Sequence, residues 1–147
     1  MKLIAFAAAL LLAACATTSA DPGAGGVERY VGKPITAGGY NYQVTSRLRA
    51  VRSGEDEWGV YLYGTYSGTA PALLTTARVN GQETEFSERD RRVTSPSNVR
   101  ESFVLLVPRE LLAEESEPFS VELVGTRRSV RLQLPEERLE EIRDVIE

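Results

Sequence analysis

Histidine is absent from this 147-residue chain, and cysteine occurs once. Without an imidazole there is no Ser-His-Asp triad, no Cys-His pair and no histidine-ligated zinc, and no side chain has an unperturbed pKa near neutrality. One cysteine closes no internal disulfide and builds no thiolate metal cluster. Seventeen Lys and Arg against 21 Asp and Glu leave a net charge of -4, which gives no bulk electrostatic case for nucleic acid. Paired carboxylates are the remaining acid–base option. The acids, however, fall in turn-like runs such as Glu55-Asp56-Glu57 and Glu114-Glu115, or on polar strand faces. None stands alone in an apolar setting that would raise its pKa. The expectation is a non-enzymatic protein with no cofactor and no metal.

What is present begins at the N-terminus. Met1-Lys2 is followed by ten apolar residues, Leu3 to Leu12, and then by Ala13-Ala14-Cys15. A positive charge, a short apolar run and small residues make a secretory signal peptide. The run is too short to span a bilayer, which needs roughly 20 residues. Leu12-Ala13-Ala14-Cys15 resembles the bacterial lipobox. That resemblance implies diacylglycerol transfer to the Cys15 sulfur, cleavage before Cys15 and acylation of the new amino terminus. Several acyl chains hold a protein at a membrane stably where one holds only marginally. In lipoproteins of enteric-type bacteria an Asp after the cysteine favours the inner membrane, so Ala16 implies delivery to the outer membrane, with the domain facing the periplasm.

Residues 1–14 are thus read as signal peptide and 15–26 as a lipidated tether. The tether sequence ATTSADPGAGG is small and turn-forming, and such a composition buries too little apolar surface to order itself. Residues 27–135 are read as the folded body, and 136–147 as an acidic helix. The body is neutral, with 14 acids and 14 bases. The tail carries six acids against two arginines and holds the whole net charge.

Alternation of apolar and polar residues dominates the body, which predicts half-buried strands. Tyr42, Val44, Leu48 and Ala50 alternate with Gln43, Thr45, Arg47 and Arg49. Trp58, Val60, Leu62 and Tyr66 share one strand face, with Tyr61 and Tyr63 on the other. Asn80-Gly81 is a strong hairpin signal. It sets Val79 opposite Gln82, Arg78 opposite Glu83, Ala77 opposite Thr84 and Thr75 opposite Phe86. Ser102–Val107 is apolar on both parities and reads as an interior strand, ended by Pro108. Residues 109–115 read as a short helical turn. Two further strands fold about Gly125–Arg128, pairing Leu123 with Val130, Glu122 with Arg131 and Phe119 with Leu134. Pro135 followed by two glutamates starts the terminal helix, whose apolar stripe includes Leu139, Ile142 and Ile146.

Six or seven short strands with turns between them predict a mainly β protein, a single antiparallel β-sandwich of immunoglobulin-like shape with a short C-terminal helix. An open β-barrel is the alternative. The order of strands, helical turn, hairpin and proline-initiated helix resembles small lipoproteins of Gram-negative bacteria.

Two groups are candidates for contact. The aromatic strand residues Trp58, Tyr61, Tyr63 and Tyr66, with Tyr40 and Tyr42 adjacent, offer rings that stack on sugars or anchor a protein interface. Residues 87–98, SERDRRVTSPSN, read as a long polar loop in which Arg89, Arg91 and Arg92 could meet phosphate or carboxylate. Glu88 and Asp90 cut the local charge to +1. The expected function is a membrane-anchored interaction or structural module of the cell envelope with a protein partner. The alternative is a carbohydrate- or peptidoglycan-binding module working through the aromatic face.

Overall fold

The computed structural model describes residues 18–21, 27–114 and 118–147. Cys15 and the apolar leader lie outside the described residues. The strands are β1 (Thr18–Asp21), β2 (Val27–Val31), β3 (Ile35–Gly39), β4 (Tyr42–Ser53), β5 (Gly59–Gly68), β6 (Leu74–Val79), β7 (Gln82–Thr84), β8 (Phe86–Ser95) and β9 (Asn98–Leu106), followed by β10 (Ser120–Gly125) and β11 (Val130–Gln133). Two helices, α1 (Arg109–Ala113) and α2 (Glu136–Ile146), complete the described chain. They build two antiparallel sheets. The larger runs β1-β2-β4-β5-β9-β8, with β3 continuing beside β4, and the smaller runs β11-β10-β6-β7.

Period-two patterning sets which residues face the core. On β4 and β5 the pairs Val44–Tyr66, Leu48–Leu62 and Ala50–Val60 lie on one face, and all six side chains are buried. Leu105 of β9 pairs with Leu62 and extends that layer. Against it pack Leu74, Ala77 and Val79 of β6, Val121 and Leu123 of β10, and Val130 and Leu132 of β11. Each fully buried Val or Leu contributes about 1.5–3 kcal/mol relative to exposure. The smaller sheet shares the inner face with α2, whose Leu139 and Ile142 belong to the same core. Tyr30, level with Ala50 on β2, reaches Glu141 of α2 at 3.5 Å. An eleven-residue helix is marginal alone; this one is held by its buried stripe and by Arg143, which donates to the Leu112 carbonyl at 2.7 Å.

The turn chemistry works as expected. Asn80 and Gly81 both have positive φ, 47° and 82°, as a two-residue hairpin of the primed type requires. Ala77–Thr84, Arg78–Glu83 and Val79–Gln82 pair across it. Leu123–Val130 and Glu122–Arg131 pair across the second hairpin, and Leu134 donates its amide to Phe119.

Four features depart from the sequence reading. The pairing of Thr75 with Phe86 does not form. The chain leaves the small sheet after Thr84, and Phe86 pairs with Leu105 in the large one. Residues 87–98 are not a loop but β8, its turn and the start of β9, joined antiparallel. β8 is an edge strand with most side chains in solvent, so it lacks the apolar alternation that marks a half-buried strand. Its charges are an edge-strand device rather than a loop signature. β2 and β3 were also invisible, the one mixing charged and apolar residues on both faces and the other ending in two glycines. Within the segment expected to be a structureless tether, Thr18–Asp21 is hydrogen-bonded as β1 along β2, because that edge offers free backbone donors and acceptors whatever the side chains.

Candidate functional site

The face of the large sheet turned away from the core, on which no other element packs among the described residues, carries the residues of opposite parity. Reading across the register, Arg49 lies beside Tyr61 and Leu106, and Arg47 beside Tyr63, Val104 and Ser87. Thr45, Thr65 and Ser102 form the next row, and Gln43, Ser67 and Arg100 the one beyond. These strands turn this face outward because their other parity is committed to the core.

Tyr61 and Tyr63 are half-buried here, with ring centroids 6.3 Å apart and planes at 66°. Arg49 lays its guanidinium over the Tyr63 ring, 4.2 Å from the centroid, a cation–π geometry that fixes a long side chain in one orientation. Its Nε is buried and has no hydrogen-bond partner. Arg89 stands at a register shift, where β8 carries one extra residue between Glu88 and Asp90. Such a bulge re-aims a side chain. The result is that Arg89 lines two depressions on this face. One, of about 620 Å³, is lined also by Val51, Tyr61, Tyr63, Val104 and Leu106, and by Glu85. The other, of about 380 Å³, lies between Arg47, Arg49, Tyr63 and Ser102. A third, of about 260 Å³, continues past Thr65 and Ser67 to Arg100.

The candidate residues therefore separate. Tyr61, Tyr63 and Arg89 come together on the outer face. Trp58 and Tyr66 do not: both are buried in the core. Arg52 covers the Trp58 ring, and the Tyr66 hydroxyl donates to the Ala70 carbonyl and accepts from Arg128. Tyr42 stacks on Tyr66, and Tyr40 is exposed in the turn between β3 and β4. Arg92 is occupied by Asp90. Arg91 points the other way, to Glu88 at 2.9 Å and to Glu101 at 3.3 Å.

Glu101 escaped notice in the sequence. It is fully buried, and its carboxylate accepts from the backbone amides of Ala72 (2.7 Å), Leu73 (3.3 Å) and Leu74 (3.1 Å) as well as from Arg91. These amides belong to the crossing from β5 in one sheet to β6 in the other, where Leu73 has φ +55°. This cluster is fully occupied by the fold and is structural. Arg47, Arg49 and Arg100 were also missed as site residues. Their alternation was legible, but their position beside the tyrosines depends on which strands are neighbours.

Chemically the outer face can hold an anion against an aromatic floor. Among the described residues no group of three or more Cys, Asp or Glu side chains is placed to hold a metal ion, and no helix is long and apolar enough to cross a membrane. No family model, no curated protein and no solved structure matches this chain.

Proposed function

We propose that the chain is a non-enzymatic, membrane-anchored module of the bacterial cell envelope. In this reading it is lipidated at Cys15, faces the periplasm from the outer membrane, and makes its contacts through the outer face of the large sheet. Its body would then be a sandwich of immunoglobulin-like shape, holding that face away from its own core. The observation that carries the contact reading is the outward pair Tyr61–Tyr63 flanked by Arg49 and Arg89, over which no other element packs among the described residues. Tyrosine and arginine are the residue types in which contact energy concentrates. The lipobox resemblance supports the anchor, and the sheet-edge pairing of β1 would keep the domain within a few residues of it.

The ligand-independent test places a photo-activatable side chain at Tyr63 or at Glu140 of α2, an exposed position on the other side of the sheet. Adducts of discrete mass from position 63 and none from 140 are expected. Equal labelling at both positions rejects the face as the contact surface. The anchor is tested separately: Cys15→Ser should abolish lipid labelling and leave the leader uncleaved. A mature protein that starts elsewhere and fractionates with soluble periplasmic proteins overturns it. A second reading, retention on carbohydrate or peptidoglycan, is favoured over a protein partner by the two tyrosines flooring a groove rather than standing proud of the surface.

A further inference from the structure

Three depressions lie end to end along β5, from Tyr61 past Tyr63 to Ser67. The six residue-to-residue steps from Tyr61 to Ser67 make this groove about 20 Å long. Arg47 and Arg49 stand on the β4 side, Arg89 on the β8 side, and Arg100 at the far end. None of the four has an ion-pair partner among the described residues. Glu85 is the one carboxylate that lines the groove. The acidic helix α2 packs on the opposite face of the sheet, so the molecule separates its charge across the sheet although its net charge is negative.

We propose that this groove binds an extended glycan chain bearing carboxylates, with the sugar rings on Tyr61 and Tyr63 and the carboxylates on Arg47, Arg49, Arg89 and Arg100. The inference rests on the reading of this face as the contact surface and names its ligand. Aromatic rings give sugars an apolar floor. Guanidinium groups hold carboxylates through paired N–H donors. A concave track with charges spaced along it suits a chain carrying single, separated charges. A bilayer surface would instead meet a flat or convex face with projecting apolar side chains. A nucleic acid would meet a denser array of cations in a protein without a net negative charge.

The experiment uses residues 16–147, which hold every core side chain and every strand among the described residues. Hexagalacturonate, with a carboxylate on each sugar, is titrated by calorimetry beside neutral maltohexaose. Binding of the uronate only is expected, weakening with salt because the charges are exposed. Arg49→Gln with Arg89→Gln should lower affinity at least tenfold while the protein still unfolds in one cooperative transition, and Arg47→Gln with Arg100→Gln should lower it with no loss of thermal stability. Glu85→Gln should raise affinity twofold or more, a gain that a structural role for these residues would not produce. Equal binding of maltohexaose overturns the assignment of the arginines to carboxylates. Preferential binding of phosphatidylglycerol vesicles or of a single-stranded oligonucleotide also overturns the proposal. If cross-linking at position 63 succeeds while hexagalacturonate does not bind, the face stands as the contact surface and this ligand class is rejected.

Discussion

Replacing Glu101 by alanine tests the join between the two sheets. The carboxylate has no exposed surface and holds three consecutive backbone amides and one guanidinium. A buried donor left without a partner costs about 1–3 kcal/mol, and removing one member of a buried charged pair costs about 3–5 kcal/mol. These penalties overlap, because a relaxed crossing would admit water to Leu73 first, the one half-buried residue of the three. Arg91, partly in solvent, also keeps its existing ion pair with Glu88. A net loss of about 3–5 kcal/mol follows, a fifth or more of the stability of an ordinary domain. At this chain length that lowers the unfolding midpoint by about 6–20 °C. Glu101→Gln keeps one acceptor oxygen and the shape but turns an N–H₂ toward amide donors, so it should lose about 1–3 kcal/mol. Urea and thermal unfolding of the three proteins measure both numbers. A shift below 2 °C for Glu101→Ala would show that the crossing carries its own conformation, and that Leu73 does not need the carboxylate to stay at positive φ.

Leu139→Ala should cost about 2–5 kcal/mol, and deletion of 136–147 should leave a molten or unfolded chain, because the helix supplies core to the large sheet; circular dichroism of the truncated chain decides this. Tyr30 titrates above the ordinary tyrosine value, first because it is partly buried, then because of the Glu141 charge and hydrogen bond, with Arg138 opposing. Its neutral form is the one the fold favours. That contribution is complete below pH 10 and is lost as pH rises past 10 through the folded pKa. Tyr30→Phe should therefore lose less stability than the parent as pH rises above 10, and an identical alkaline decline in both proteins refutes the coupling.

Legibility in the sequence followed burial. Where one face is apolar and the other polar, as at Val44–Ala50 or Val121–Leu123, the period-two pattern located both the strand and its core side, and charge pairs such as Glu122–Arg131 set the register. β8 failed this reading because an edge strand buries little, and patterning records burial rather than hydrogen bonding. The sheet switch at Glu85 was equally hidden: continuing the hairpin to Thr75–Phe86 satisfies every local rule, and only the competing partner Leu105 on β9 defeats it. Among the site residues, Tyr61 and Tyr63 were visible because their strand announces two faces. Arg91 and Arg89 could not be told apart, since a one-residue bulge sends them to opposite sides of the sheet and nothing in SERDRR marks it.

The arginines of the outer face also bear on stability. An outer sheet face chosen for folding alone would pair its charges across strands, as Glu122 and Arg131 do on the small sheet. Here four guanidinium groups stand around one groove with one carboxylate among them. Like charges about 8 Å apart in water repel by about 0.5 kcal/mol per pair. Only Arg49 has a visible compensation, its seat over the Tyr63 ring. Folding thus gains nothing from Arg47, Arg89 and Arg100, and their removal should be neutral or mildly stabilising. A site that carries function at the expense of stability behaves in that way. Arg47→Gln with Arg100→Gln should leave the thermal midpoint unchanged or raise it by a degree or two, and the effect should vanish in 0.5 M salt, where screening has already removed the repulsion. A destabilisation that salt does not alter would mean that the two side chains are held by packing, and the case for an anion-holding face would then rest on Arg49 and Arg89 alone.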